Sequence, residues 1–128
     1  MADVTWLDRP EAHDFPAAAA YLGLLADPAT VGDLVDRLRA APVTHQKAKD
    51  ILRAAGLPLL PRDNAHVAAD LTKISEQQPL SPILLIRGDL AGGIALQIAD
   101  GYHRVCASYY TDENTNIPVV IAHRAKDR

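Results

Sequence analysis

Apolar residues in the first part of the chain recur with the period of an α-helix. The clearest repeat follows the spacing i, i+3, i+4 and i+7 and comprises Val31, Leu34, Val35 and Leu38. It predicts an amphipathic helix with Thr30 as its N-cap. A helix over residues 16–26 precedes it, and a third helix, capped by Thr44 and closed by Gly56, follows it. Residues 1–56 are therefore predicted to form a helical N-terminal layer.

The first 15 residues show no sustained period. Trp6 and Phe15 are too large and apolar to be left in water at low cost. We therefore expect this segment to be an irregular arm that lies across the surface of the domain.

From Leu57 onward the pattern changes to short apolar runs of strand length, separated by helical and glycine-rich segments. The elements predicted here are an extended segment over 57–61, a helix over 65–77 capped by Asp63 or Asn64, strands over 83–87 and 94–98, a helix over 102–111 and a strand over 117–122. The whole chain is thus predicted to be one α+β domain. In this domain the helical layer over 1–56 packs on a small mixed sheet formed within 57–122.

Length and charge narrow the class of protein. The 128 residues suffice for one domain with a substantial core and are too few for two. A formal net charge of -3 provides no global basic field for nucleic acid or acidic membranes. The single cysteine, Cys106, excludes an intrachain disulfide. Because there is neither an apolar run of about 18 residues nor a secretory signal, we expect a cytoplasmic protein that does not enter membranes.

The stretch Asp100-Gly101-Tyr102-His103-Arg104 is a predicted strand-to-helix corner. Such a corner directs backbone N–H groups and the positive end of a helix dipole to one point, which suits a phosphate. Arg104 can hold phosphate oxygens with its forked guanidinium, and His103 can donate hydrogen bonds or transfer a proton. Gly101 permits both a tight turn and a close backbone approach. The alternatives are a solvent-facing helix start for His103 and Arg104, and an N-cap role for Asp100.

Alternative interpretations also exist for candidate residues near the corner and at the preceding helix start. Tyr102 either stacks on a base or covers the edge of the core. If the predicted helix start at 61–66 faces the corner, Arg62 can reach a phosphate and Asp63 or His66 can supply a second acid–base group; otherwise these residues form a polar capping loop. Cys106 is predicted to be a small buried hydrophobe rather than a nucleophile. The histidines outside the corner lack metal-ligand spacing, so no metal site is predicted.

From about Leu57 to Ala122 the order of elements resembles the ParB/sulfiredoxin superfamily, and specifically a ParB N-terminal-like domain. The corner, followed by Ala107, is similar to the superfamily's Gly-x-His-Arg or Gly-x-Arg-Arg signature, which contacts nucleotide phosphates. The resemblance implies phosphate binding by Gly101, Tyr102, His103 and Arg104, with Arg62 on the same cleft. It covers about half of the chain.

The departures from known members narrow this expectation. In sulfiredoxins the catalytic cysteine occupies the position of Tyr102, so sulfinic acid reductase activity is not expected. Partition ParB proteins continue into a helix-turn-helix region, and since none follows the last predicted strand, we do not expect a complete partition protein. The Asp-Gly-x-His-Arg form is similar to that of the superfamily's free serine kinases, in which the motif aspartate assists phosphoryl transfer. Carried over, Asp100 would be the base or a metal contact, with His103 and Arg104 on the phosphates.

Three functions follow from this sequence. The first is nucleotide binding with phosphoryl transfer or nucleotide hydrolysis, in which Asp100 and His103 are catalytic and ATP or CTP brings in magnesium. The second is a non-catalytic module on the same fold that binds a partner protein or a second copy through the alanine-rich helix 17–25. The third, a ParB-like nuclease or DNA-binding protein, is disfavoured by the acidic charge.

Overall fold

The computed structural model describes residues 3–124. These residues form five helices and four strands, which confirms the α+β class. In chain order the elements are α1 (Asp14–Leu22), α2 (Pro28–Ala40), β1 (Thr44–Lys47), α3 (Ala48–Ala55), α4 (Ala65–Ser75), β2 (Ile83–Ile86), β3 (Gln97–Asp100), α5 (Tyr102–Thr111) and β4 (Asn116–Ala122). None of the described helices has the length and apolar character needed to cross a membrane.

The four strands form one mixed sheet in the order β1-β4-β2-β3. The two central strands, β2 and β4, run parallel, and the edge strands β1 and β3 pair with them in the antiparallel sense. Because parallel neighbours need a crossover connection, β3 and α5 together carry the chain from β2 back to β4. This crossover places the end of β3 beside the start of α5.

Helices cover both faces of the sheet. In β2, Ile83 and Leu85 pack with residues of α3, α4 and α5, whereas Leu84 and Ile86 pack with residues of α1 and α2. The sequence of a strand that is buried on both faces is a continuous apolar run and does not alternate between apolar and polar residues. The Ile-Leu-Leu-Ile sequence of β2 is such a run.

The predicted helix start at Thr44 is wrong. Residues Thr44–Lys47 form β1, an exposed edge strand whose four residues pair with β4 from Thr44 opposite Val119 to Lys47 opposite Asn116. None of these four side chains is apolar, so no burial pattern marks the strand, and its pairing with β4 decides the conformation. The segment 1–56 therefore contains a strand, and α3 lies on the opposite face of the sheet from α1 and α2.

The first two helices begin earlier than predicted. Helix α1 already includes Phe15, which is buried beneath it rather than lying in an arm. The N-cap of α2 is Asp27, not Thr30, because the Asp27 carboxylate accepts a hydrogen bond of 2.8 Å from the Thr30 N–H, and Pro28 occupies the first helical position. Trp6 forms an isolated β-bridge with Leu80.

The second half follows the predicted order closely. Asn64 caps α4, because its side-chain oxygen accepts hydrogen bonds from the N–H groups of His66 and Val67. Helix α5 spans the predicted residues 102–111. Strand β3 begins three residues later than predicted, because Ile94 pairs with Asp89 in a bridge that closes the preceding loop. Residues 57–61 cross the surface without joining the sheet.

Candidate functional site

A cleft of about 270 Å³ opens where α4 lies against α5 and the end of β3. It is lined by His66, Ala69, Asp70, Lys73, Asp100, Gly101, His103 and Arg104. The structure therefore brings four residues of the predicted corner together with polar side chains of α4. This cleft is the candidate site.

Gly101 makes the turn between β3 and α5 with a φ of 113°, in the left-handed region that favours glycine. A Cβ atom at this position would lie 2.5 Å from Cδ1 of Ile83. Gly101 is also the N-cap of α5, so the N–H groups of the first turn receive no side-chain cap. The alternative of Asp100 as the N-cap is thereby excluded.

Arg104 is held in the wall of the cleft by two acceptors. Its Nη2 donates to Oδ2 of Asp100 at 3.2 Å and to the carbonyl oxygen of Pro82 at 3.3 Å. The side chains of Arg104 and Asp100 are only 17% and 20% exposed. Among residues 3–124, Nε is buried without a hydrogen-bond partner, and Nη1 makes no hydrogen bond either. Since a guanidinium carries five N–H donors, Arg104 keeps donors that the described protein does not use.

Burial, Arg104 and a second acidic residue, Asp14, govern the ionisation of Asp100. Burial raises the pKa of Asp100, the charge of Arg104 opposes this rise, and the nearby Asp14 adds to it. Asp14 is the first residue of α1 and accepts hydrogen bonds from the Glu11 N–H, at 3.0 Å, and from the Ser81 hydroxyl. The neutral form of Asp100 is therefore favoured to higher pH than in an exposed aspartate.

Helix α4 contributes a polar stripe to the cleft. His66, Asp70 and Lys73 follow the spacing i, i+4 and i+7, while Val67 and Ile74, about a quarter-turn away around the helix, are buried in the core. Burial raises the pKa of Asp70, and the positive charge of Arg104 opposes that rise. The cleft thus combines two carboxyls of raised pKa with a lysine, an arginine and two imidazoles.

The two imidazoles lie close together. The ring centroids of His66 and His103 are 4.7 Å apart. Burial lowers the pKa of His103, the charges of His66 and Arg104 lower it further, and Asp70 acts in the opposite direction. A neutral His103 has one nitrogen that donates and one that accepts a hydrogen bond, as acid–base work near neutral pH requires.

The structure does not place Tyr102 and Arg62 with the cleft residues. The Tyr102 hydroxyl donates to the carbonyl oxygen of Pro58 at 2.5 Å, and its ring packs on the core, which agrees with covering the core edge. The Arg62 guanidinium lies over the ring of Tyr110, 4.6 Å from the centroid, near the other end of α5. Cys106 is fully buried, and burial raises the pKa of its thiol.

Sequence reasoning missed Asp70, Lys73 and Asp14. A polar stripe on an amphipathic helix is most simply a solvated face, so Asp70 and Lys73 carry no signal until α4 is known to pack on α5. Asp14 falls in the stretch interpreted as an irregular arm, and nothing in its neighbours along the sequence indicates that it is buried beside Asp100.

The cleft does not fit a magnesium ion held by protein ligands. The Asp100 carboxyl accepts a hydrogen bond from Arg104, and a carboxyl engaged in this way is a poor cation ligand. Within the described part of the chain, no group of three or more His, Cys, Asp or Glu residues is arranged to hold a metal ion. We therefore assign no protein residue to magnesium, and the metal-contact role for Asp100 is not supported.

We predict that Gly101→Ala destabilises the protein by roughly 2 kcal/mol or more, because the new Cβ meets Ile83 and the backbone conformation is strained. Urea unfolding measures this change. Gly32→Ala in α2 is the matched control, since a Cβ there meets no atom within 4 Å, and it should stabilise the protein by about 0.5–1 kcal/mol. Equal effects of the two substitutions would contradict the geometry given for the corner.

We predict that His103 titrates below the ordinary histidine value of about 6.5 and that His66→Ala raises its pKa, because that substitution removes burial and a neighbouring cation. Protonation of His103 then costs the native state free energy, so its contribution lowers stability as the pH falls below about 6.5. NMR titration of the imidazole measures the pKa. His45→Ala on the exposed strand β1 is the control and should leave the titration of His103 unchanged.

Comparison with known proteins identifies no relative. No family model, curated protein or solved structure matches the chain. The likeness to the ParB/sulfiredoxin superfamily therefore remains a resemblance carried by the corner motif and by the order of elements.

Proposed function

We propose that the cleft between α4 and α5 binds a phosphate group, and that this group belongs to a nucleotide such as ATP or CTP. The main support is that two sets of hydrogen-bond donors without protein acceptors lie next to each other. Helix α5 begins without a side-chain cap, and Arg104, in its first turn, retains guanidinium N–H groups that the described residues do not engage. Helix N-terminal amides beside an arginine form a common phosphate-binding arrangement.

The charges around the cleft suit a phosphate. Lys73 and Arg104 are cationic, and His66 and His103 can donate hydrogen bonds to phosphate oxygens. Asp70 and Asp100 oppose an anion when ionised, but burial raises the pKa of both and so reduces their negative charge at a given pH.

The volume of the cleft suits the phosphates of a nucleotide rather than the whole molecule. Its 270 Å³ lies just below the range of about 300–1,000 Å³ that is usual for pockets enclosing a whole drug-sized ligand. The phosphates would occupy the cleft, and the sugar and base would lie outside it. A magnesium ion would be carried by the nucleotide's own phosphate oxygens.

A reaction at this site would depend on positioning and charge. The α5 amides, Arg104 and Lys73 would stabilise charge that develops on a transferred phosphoryl group. Among the titratable groups of the cleft, His103, with its lowered pKa, and Asp100 would act as acid and base. Phosphoryl transfer and nucleotide hydrolysis are both consistent with this arrangement.

A second candidate function is supported by an exposed apolar patch. Leu24 and Leu25, just after α1, are 83% and 59% exposed, and Tyr21 beside them is 37% exposed. Such a patch is typical of a surface that binds another protein. It lies in the segment 17–25 that the sequence indicates for a protein-interaction module.

We predict that calorimetric titration with ATP, CTP, GTP and inorganic phosphate, with and without magnesium, gives saturable binding to the wild-type protein. Arg104→Ala should weaken the binding by about 1.5–3 kcal/mol, because a hydrogen bond to a charged group is lost. This loss corresponds to roughly a ten- to hundredfold increase in Kd. The same titrations with Arg104→Lys report how much of the effect depends on the forked guanidinium.

The matched control is Arg62→Ala. Arg62 is the other arginine predicted from the sequence to contact a phosphate, but in the structure it lies against Tyr110. This variant should bind like the wild-type protein. Absence of heat with every ligand, in wild-type protein whose circular dichroism shows that it is folded, would overturn the phosphate-binding proposal. Equal losses in the Arg62 and Arg104 variants would contradict the site geometry.

A further inference from the structure

The segment 80–82 leads into β2 and contacts Arg104, although none of its residues lines the cleft. The Pro82 carbonyl oxygen accepts a hydrogen bond from Nη2 of Arg104 at 3.3 Å. Oδ2 of Asp100 accepts from the same nitrogen at 3.2 Å. Because Nη2 carries two N–H groups, these two acceptors use both of them.

Two acceptors on one nitrogen fix the orientation of the whole guanidinium. The group is planar, and each N–H prefers an acceptor along its own direction, which lies in that plane. With Asp100 as the single acceptor, the plane could rotate about one hydrogen bond. The Pro82 carbonyl removes this freedom, and it thereby determines where Nη1 directs the donors that the described residues do not use.

The Pro82 carbonyl is held in place by its neighbours in the chain. The ring of Pro82 fixes its own φ, and Ser81 before it is restricted to extended conformations. On the other side, Ile83 begins β2 and pairs with Val119 of the central strand β4. The position of the carbonyl therefore depends on how firmly Ser81 is anchored.

Ser81 is anchored by the N-terminal segment 5–14, which ends at the first residue of α1. It is only 5% exposed. Its hydroxyl donates to the carboxylate of Asp14, which is 2% exposed, and its oxygen accepts from the Glu11 N–H at 3.1 Å. The same Glu11 N–H also donates to Asp14 at 3.0 Å. The three groups thus form a closed cluster of hydrogen bonds around Ser81.

The backbone of Leu80 is tied to the same N-terminal segment. Its N–H donates to the carbonyl oxygen of Thr5 at 2.8 Å, and its carbonyl oxygen accepts from the Leu7 N–H at 2.9 Å. These bonds and the cluster around Ser81 hold the segment 80–82 against the segment 5–14. The N-terminal segment is thereby connected to Arg104, although none of its residues lines the cleft.

We propose that Ser81 is a positioning residue of the phosphate site: anchored by the N-terminal segment, it holds the Pro82 carbonyl against Nη2 of Arg104 and so keeps the remaining guanidinium donors directed at a bound phosphate. This inference rests on the proposed phosphate binding. Arg104 is the residue that contacts the phosphate, and Ser81 acts only through it.

The first test observes Arg104 by NMR without any ligand. In 15N-labelled protein the Arg104 guanidinium signals, assigned by their loss in Arg104→Lys, report whether the group is held in one orientation. Ser81→Ala should shift these signals and average them by rotation, because the Pro82 carbonyl is no longer held. Val35→Ala, which removes core contacts beneath α2, is the control: it should lower stability and leave the Arg104 signals unchanged.

The second test measures the affinity for inorganic phosphate by calorimetry. Ser81→Ala should raise Kd about two- to tenfold, the change that corresponds to one misplaced hydrogen bond, whereas Val35→Ala should leave Kd unchanged. In protein that already carries Arg104→Ala, the Ser81 substitution should have no further effect, since no guanidinium remains to be oriented. A merely structural role for Ser81 predicts the same loss with and without Arg104.

Unchanged Arg104 signals in Ser81→Ala overturn the proposal, and so does an equal loss of phosphate affinity with and without Arg104. If Ser81→Ala does not fold, Ser81→Cys replaces it: the thiol keeps a similar shape but is a weak donor, so the same changes are expected in smaller degree, and their absence overturns the proposal. A wild-type protein that binds no phosphate overturns the proposed function alone, because the NMR test then still decides whether Ser81 orients Arg104.

Discussion

Burial of β2 and β4 on both faces is the constraint on which the rest of the structure depends. Because these central strands are covered by α1 and α2 on one side and by α3, α4 and α5 on the other, none of these helices can shift without exposing part of the core that it shares with the sheet. Parallel pairing of β2 with β4 then requires a crossover through β3 and α5. The corner at Gly101 is the point inside that crossover where β3 ends and α5 begins, so the position of the candidate site follows from the topology.

The same packing explains why the cleft is chemically unusual. Gly101 permits α5 to start so close to β2 that no Cβ fits between them. This close approach removes Asp100 and Arg104 from water, and burial is the largest cause of the raised pKa of Asp100. A surface helix with the same sequence would carry an ordinary, solvent-screened ion pair worth little. The perturbed ionisation is thus a result of how tightly the helix is seated on the sheet.

Most of the second half was predictable because its signals are local. Glycine at a strand-to-helix turn, an asparagine cap and uninterrupted apolar strands each depend on neighbouring residues, and α5 was predicted over its observed residues. Strand β1 was not predictable, since Thr-His-Gln-Lys becomes a strand only by pairing with β4, about 70 residues away. Asp27 was not predicted as the cap of α2, because Asp27-Pro28 was interpreted as the end of the preceding helix and Thr30 can act as a cap one turn later.

The residues of the candidate site were likewise predictable only where they are neighbours in the sequence. Asp100, Gly101, His103 and Arg104 are adjacent in sequence, and one motif found them all, whereas Asp70 and Lys73 join them only through the packing of α4 on α5. Arg62 shows the converse: it precedes α4, but its guanidinium lies over the ring of Tyr110, 4.6 Å from the centroid, where the aromatic face attracts the cation. Proximity in sequence to a binding helix therefore does not place a cation in its site. The contact that the folded chain offers, here the ring of Tyr110, decides where the charge of Arg62 acts.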